Sequence, residues 1–138
     1  MKQTIMTKIS LDTNILIYNH GIDGNAKQQI ADSLFDNIPV ISTQVISEYL
    51  NVMKRISKKD KSDLLKICAE WLKYCQVKAV SLSTINLAHR LLQKYDFQLF
   101  DSIIIASALE AECEILYSED LHHGLLVENK LTILNPFL

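Results

Sequence analysis

The chain has 138 residues, a length that suits one domain with a single hydrophobic core. Its residues are 49% hydrophobic and 22% charged, and only three Gly and two Pro occur, which argues against linkers and low-complexity tails. The formal net charge is −2 and the pI is about 6.0. A general nucleic-acid coat protein is normally strongly basic, so this class is disfavoured, while local basic patches remain open.

The three cysteines give no sign of a disulfide framework or a zinc site, because they are odd in number and lack CxxC spacing. Free thiols are typical of a reducing compartment. No apolar segment of the signal-peptide kind precedes Asp12, and no stretch reaches the roughly 18 apolar residues that a membrane span needs. We therefore expect a cytoplasmic protein without a membrane partner.

Strands and helices are predicted to alternate along the chain. Strands are predicted over five segments: 7–12, 38–42, 77–82, 113–118 and 130–135. Helical segments are predicted over 13–18, 26–36, 62–75, 83–95 and 99–112, with a further helix from Ser42 or Thr43 to about 56. The stretch GIDGN (21–25) is predicted to be a loop. Such alternation favours an α/β sandwich with a largely parallel central sheet.

Four acidic residues occupy comparable positions in this pattern. Asp12 and Asp120 follow predicted strands, Glu48 lies beside the apolar stripe of its helix, and Asp101 opens a helix that is apolar almost all round. Taken singly, each has a structural explanation as a helix cap, a dipole partner or a solvated helix edge. Taken together, they can converge at one edge of a parallel sheet, where a hard divalent cation such as Mg²⁺ or Mn²⁺ would relieve their repulsion.

Several segments resemble the PIN-domain ribonucleases, in particular the VapC-type toxins of prokaryotic toxin–antitoxin pairs. They are LDTNILIY, SEYLNV, FDSIIIASALEAECEILYSEDL and LTILNPF. The resemblance runs from about residue 9 to residue 137. It implies a single PIN domain over 1–138, folded as a three-layer α/β/α sandwich, with the activity of a metal-dependent endoribonuclease.

The resemblance also implies roles for individual residues. The four family acids correspond to Asp12, Glu48, Asp101 and Asp120, which would hold Mg²⁺ or Mn²⁺ and carry catalysis. Asn14 and Ser118 match polar positions and would orient carboxylates or water, whereas Glu119 would point outward. Many relatives carry one more acid on the helix of Asp101, but here that turn is Ile103, Ile104 and Ile105.

The corresponding mechanism needs no Ser, His or Cys nucleophile. In this hypothesis the cation is held mainly by Asp12 and Asp101, while Glu48 and Asp120 complete the acidic shell and one of them orients or deprotonates a water. The water attacks an RNA phosphodiester in line and leaves a 5′-phosphate and a 3′-hydroxyl. The resemblance further implies a cognate antitoxin as partner and a homodimer.

A basic run, KRISKKDK (54–61), offers candidate RNA contacts. The residues assigned to phosphate binding are Lys54, Arg55, Lys58 and Lys59. A solvated helix end and loop explains the run equally well, so both interpretations stay open. The adjacent His122 and His123 are not expected to ligate a metal together, because neighbouring side chains diverge.

Other functions remain as alternatives. A non-catalytic PIN fold could act as a binding or regulatory module. A phosphotransfer receiver or a haloacid-dehalogenase-like phosphatase would also place acids at strand ends. Both of these classes need a second acid after the first strand, where this chain has the uncharged Asn14.

Overall fold

A six-stranded sheet forms the centre of the protein in the computed structural model, which describes residues 7–21 and 25–138. The strands are β1 (Ile9–Leu11), β2 (Val40–Ser42), β3 (Gln76–Lys78), β4 (Ile115–Tyr117), β5 (Leu126–Val127) and β6 (Leu131–Leu134). Their order across the sheet is β3-β2-β1-β4-β6-β5, and every neighbouring pair is parallel except β5 with β6. The two strands that precede Asp12 and Asp120 are therefore direct neighbours.

Helices fill the connections between the parallel strands. They are α1 (Thr13–Asn19), α2 (Asn25–Leu34), α3 (Thr43–Ile56), α4 (Lys61–Leu72), α5 (Leu82–Lys94) and α6 (Leu99–Glu110), with a short 3₁₀ helix at Phe35–Asn37. The chain steps from β1 to β3 in one direction and returns to β4 on the other side of β1. Because crossovers between parallel strands are right-handed as a rule, this reversal puts helices on both faces of the sheet. This arrangement confirms the predicted three-layer sandwich. Within the described residues, no helix is long and apolar enough to span a membrane.

Polar residues set the points where strands turn into helices. The side chains of Asp12, Ser42 and Asp60 each accept a hydrogen bond from a backbone N–H in the first turn of α1, α3 and α4. These bonds satisfy amide groups that have no partner inside the helix. Two of these caps, Asp12 and Ser42, stand at the carboxyl ends of neighbouring strands and fix where α1 and α3 leave the sheet.

The most deeply buried helix is α6, whose central residues have almost no exposed surface. Ile104, Ile105 and Ala106 are at most 2% exposed. Two buried serines do not break the apolar packing, because Ser102 and Ser107 donate to carbonyl oxygens of their own helix. Burial on all sides holds α6 firmly, and its first turn carries Asp101.

The structure differs from the predicted elements in several places. Helix α6 spans Leu99–Glu110, so it begins where predicted but ends two residues earlier, and Asp101 is its third residue rather than its opening one. Strand β3 covers only 76–78 at the exposed sheet edge, because Ser81 already caps α5. The two-residue β5 and its antiparallel pairing with β6 were not predicted. Of the predicted loop at 21–25, residues 22–24 lie outside the described residues.

Replacing Leu116 by Ala should strongly destabilise the fold. Leu116 is fully buried in central strand β4, so the variant loses buried apolar surface and leaves a cavity. We expect the free energy of unfolding to fall by about 2–5 kcal/mol in urea titrations. The matched control is Leu82→Ala, where the side chain is 75% exposed, and the expected change is within about 0.5 kcal/mol. Equal effects of the two substitutions would contradict the packing described here.

Candidate functional site

An open cavity of about 530 Å³ lies beside the carboxyl ends of β1 and β4. All four carboxylates singled out in the sequence line it, although they come from four separate segments of the chain. The complete lining consists of Asp12, Thr13, Asn14, Ile17, Tyr18, Glu48, Val52, Gln98, Asp101 and Asp120. The fold therefore brings these acids to one place.

Asp12 is the most deeply buried of the four acids, with only 5% of its surface exposed. One carboxylate oxygen, Oδ1, accepts from the backbone N–H of Thr13 at 2.7 Å, and the other, Oδ2, accepts from the Ser118 hydroxyl at 2.7 Å. Asp12 is thus a helix cap and a cavity residue at once. The Ser118 oxygen in turn accepts from the backbone N–H groups of Asp120 and Leu121, both at 3.2 Å, so it ties the loop after β4 to the end of β1.

Asn14 makes a second connection between the same two segments. Its amide nitrogen donates to Asp120 Oδ2 at 3.1 Å, and its amide oxygen accepts from the backbone N–H of Glu119 at 3.2 Å. A side-chain amide can do both because it carries a donor and an acceptor. The exposed carboxylate of Asp120 is therefore held in a defined orientation.

Helices α3 and α6 bring the remaining two acids to the cavity. Glu48 is half-buried on α3 and accepts from the Gln44 side-chain amide at 3.3 Å, one turn earlier. Asp101 is half-buried in the first turn of α6, where the partial positive charge of a helix N-terminus stabilises an anion. Neither acid belongs to an ion pair in the part of the chain that the structure describes.

Burial, with a smaller contribution from neighbouring charges, raises the pKa values of Asp12, Glu48 and Asp101. Burial raises the pKa of Asp12 from 3.8 to about 6, against the lowering effect of its two hydrogen bonds, and the charges of Asp101 and Glu48 add to the rise. Burial also raises the pKa of Glu48 and of Asp101. Asp101 contributes to the shift of Glu48, and Asp120 to that of Asp101. The cavity therefore carries an excess of negative charge that a bound cation would neutralise.

The donor set suits a hard cation in an open site. Carboxylate oxygens are ligands of Mg²⁺ and Mn²⁺, and Mg²⁺ in proteins usually keeps several water molecules. Among residues 7–21 and 25–138, no group of three or more His, Cys, Asp or Glu side chains is placed to hold a metal ion by itself. The residues present therefore fit a largely hydrated cation rather than a closed cage of protein ligands.

The predicted RNA contacts are not part of the cavity wall. None of Lys54, Arg55, Lys58 and Lys59 lines it. Lys54 and Arg55 belong to the last turn of α3, where a positive charge interacts favourably with the helix dipole. Lys54 also lines a separate groove, next to Leu50 and Leu64. Neither His122 nor His123 lines the cavity, and His123 Nδ1 accepts from the backbone N–H of Asn135 at 2.9 Å.

The sequence analysis missed five residues of the lining: Thr13, Ile17, Tyr18, Val52 and Gln98. Helical periodicity could have predicted some of these residues. Ile17 and Tyr18 follow Asn14 at spacings of three and four on α1, and Val52 follows Glu48 at a spacing of four on α3, so each shares a helix face with a predicted site residue. No comparable signal marks Gln98, which precedes α6.

Comparison with known proteins identifies the family and the fold. The model of the PIN domain family matches residues 9–124. A search of curated proteins gave no significant match. Among solved structures, the chain is similar to a toxin–antitoxin complex from Klebsiella pneumoniae, with a TM-score of 0.69 and 20% identity over 94% of this chain and 98% of that one.

Two further structures share the fold at similar distance. One is VapC20 from Mycobacterium tuberculosis, described as a sarcin–ricin loop cleaving toxin (TM-score 0.64, 17% identity, 82% of this chain and 92% of that one). The other is FitAcB from Neisseria gonorrhoeae (TM-score 0.67, 14% identity, 94% and 98%). Because the family match spans most of the sequence and includes all four cavity carboxylates, the chain belongs to the PIN domain family, as its sequence motifs predict.

Proposed function

We propose that this chain is a divalent-cation-dependent endoribonuclease and the toxin of a toxin–antitoxin pair. The observation that carries the proposal is the convergence of Asp12, Glu48, Asp101 and Asp120 on one cavity at the carboxyl edge of a parallel sheet. Membership of the PIN family supports it, and so does the likeness in fold to VapC20, which is named as an RNA-cleaving toxin.

The proposed cofactor is Mg²⁺ or Mn²⁺, held mainly by Asp12 and Asp101 with Glu48 and Asp120 completing the acidic shell. When bound, the cation supplies positive charge that stabilises a phosphoryl transition state and lowers the pKa of water. The protein contributes a set of oriented carboxylates. Asp12 is fixed through both of its oxygens and Asp120 through Asn14, so little reorganisation is needed when charge develops.

The remaining steps use the chain's own acids. Glu48 or Asp120 orients a water molecule and accepts its proton, while the water oxygen forms a bond to phosphorus. The bond from phosphorus to the 3′-oxygen breaks in line, and that oxygen takes a proton from solvent. The products are a 5′-phosphate and a 3′-hydroxyl, which balances the hydrolysis.

The proposal includes a protein partner. A cognate antitoxin and a second copy of the chain are expected, and the Klebsiella structure is itself a toxin–antitoxin complex. Exposed apolar side chains on the α3–α4 pair, such as Ile56 and Leu65, provide surface for such contacts.

A non-catalytic PIN-fold binding or regulatory module is the second candidate. One observation favours it, namely that no three potential ligands among the described residues are arranged to hold a metal by themselves. Such a module would not cut RNA, so the two candidates differ in a single assay.

Replacing Asp101 or Asp12 by Asn should abolish cleavage. The substitutions keep the side-chain shape but remove negative charge from the cavity, and we expect activity to drop by at least about 100-fold. The measurement is cleavage of transfer, ribosomal and messenger RNA by purified protein with Mg²⁺ or Mn²⁺, and with EDTA as a blank. Glu114→Gln, an exposed acid outside the cavity, is the matched control and should cut normally. Full cleavage by either Asn variant would refute the assignment, and no cleavage by wild type would favour the binding module.

The free energy of unfolding should depend on pH, and a divalent cation should reduce this dependence. The pKa of Asp12 is about 6 in the folded protein against an ordinary 3.8, so between these values the folded state retains a proton that the unfolded state has released. Without a cation, the free energy of unfolding should therefore fall as the pH rises through this interval, by up to about 3 kcal/mol. Mg²⁺ should restore it at neutral pH because the cation binds the folded state.

The control for this linkage is Asp12→Asn. Its unfolding free energy should show a flatter pH profile and little response to Mg²⁺ in thermal and urea denaturation. A variant that keeps the full pH slope, or the full Mg²⁺ effect, would show that Asp12 is not the linked group.

Charge reversal at Lys59 should weaken RNA binding if the basic run contacts phosphates. The loss should be largest at low salt, and the slope of log affinity against log salt should shrink by about 0.7 for each phosphate contact removed. Lys130→Glu makes the same charge change at an exposed position outside the run and should leave the slope unchanged. Equal slopes for Lys59→Glu and wild type would favour a purely solvated helix end and loop.

A further inference from the structure

Part of the cavity wall is apolar and aromatic rather than acidic. Ile17, Tyr18 and Val52 line the same space as the four carboxylates. Carboxylates with a bound cation can bind a phosphodiester group, whereas the apolar surface of these three side chains offers no favourable interaction to a charged phosphate. An aromatic ring next to a phosphate site suits the flat face of a nucleobase.

The ring of Tyr18 is held in place by three side chains, which together with Tyr18 we call the Tyr18 clamp: Lys27, Glu119 and Phe137. The Tyr18 hydroxyl donates to Glu119 Oε1 at 3.2 Å and accepts from Lys27 Nζ at 3.1 Å. Lys27 Nζ also donates to Glu119 Oε1 at 3.0 Å and lies 4.7 Å from the centroid of the Tyr18 ring. The Phe137 ring packs at 79° to that of Tyr18, with centroids 5.2 Å apart.

Support of the fold explains only part of this clamp, namely the packing of Tyr18 and Phe137 against each other and against the hydrophobic core. Its members come from α1, α2, the loop after β4 and the segment after β6, and all four are only half-buried. The Lys27–Glu119 ion pair leaves 39% and 27% of its side chains exposed, and such pairs contribute little to stability. Their clear consequence is to fix the orientation of the Tyr18 ring, so that no rotamer freedom is lost when a flat group packs on it.

We propose that Tyr18 is a substrate-positioning residue whose ring stacks on an unpaired base next to the scissile phosphate. This inference rests on the proposed nuclease function. Bases inside a duplex are already stacked and paired, so they cannot offer a face to the ring. Stacking tolerates different bases, since each has a flat aromatic face.

The kinetic test compares Tyr18→Phe with Tyr18→Leu. The Phe variant keeps the ring but loses the hydroxyl that Lys27 and Glu119 hold, so its KM for single-stranded RNA should lie between those of wild type and the Leu variant. The Leu variant should show a rise in KM of about ten- to a hundredfold and a much smaller change in kcat. The control is Tyr74→Leu, which removes a 72% exposed ring outside the cavity. Should Tyr18→Leu fail to fold, Lys27→Met combined with Glu119→Gln releases the ring without removing it and should also raise KM.

A spectroscopic test does not require cleavage. The probe is a set of single-stranded RNA oligonucleotides in which 2-aminopurine replaces one base at a time, added to protein with Ca²⁺ in place of Mg²⁺ so that the carboxylates are neutralised. Stacking quenches this fluorophore, so wild type and Tyr18→Phe should quench it at one position and Tyr18→Leu should not. Equal quenching by the Leu variant, or no quenching at any position, overturns the stacking proposal. If metal-dependent cleavage by wild type persists in either case, the nuclease proposal stands alone, and if wild type cuts no RNA, both fall.

Discussion

The hydrogen bond from the Ser118 hydroxyl to Asp12 joins the ends of the two central strands, and the geometry of the candidate site depends on it. Its donor–acceptor distance is 2.7 Å, and Ser118 has no exposed surface. Water cannot compete for this bond, so it orients Asp12 more firmly than a surface contact would. Because the same serine oxygen accepts from the loop that carries Asp120, one buried hydroxyl positions two of the four acids.

Burial of the acids lowers the stability of the folded protein when they are ionised. Carboxylates prefer water, and like charges repel, so a cavity that gathers four of them is less stable when it is fully ionised. The apolar helix α6 and the strand ends keep the acids close despite this repulsion, because many apolar contacts hold those elements. A fold that holds unfavourable charges together in this way is prepared to bind a cation.

The sequence was sufficient to predict the layers of the fold and the place of the four acids. Strands separated by one or two helices implied a parallel sheet, and acids after β1 and β4 then had to share an edge of it. For Asp12 a local pattern predicts two properties at once. Its role as a helix cap and its place in the cavity both follow from its position at a strand end. The short β5 escaped prediction because two residues carry no periodicity, and its turn depends on Glu128 and Asn129, both at positive φ.

Contacts between segments that are distant in the chain also limit what can be predicted from the sequence. The Tyr18 clamp joins residues about 90 to 120 positions apart in the chain, and no local pattern reports such packing. Tyr18 itself shares a helix face with Asn14, so its place at the cavity could be predicted from the sequence. The clamp that fixes its ring could not. The absence of the basic run from the cavity wall likewise depends on the direction of α3, which no local pattern reports.

If the four carboxylates form one site for a divalent cation, anomalous diffraction from crystals grown with Mn²⁺ should locate the ion between them, without reference to activity. We expect a Mn²⁺ peak inside the cavity bounded by Asp12, Glu48, Asp101 and Asp120, and no such peak in crystals of Asp12→Asn. An empty cavity at saturating Mn²⁺, or a peak of equal height in the variant, would show that these acids do not form a cation site.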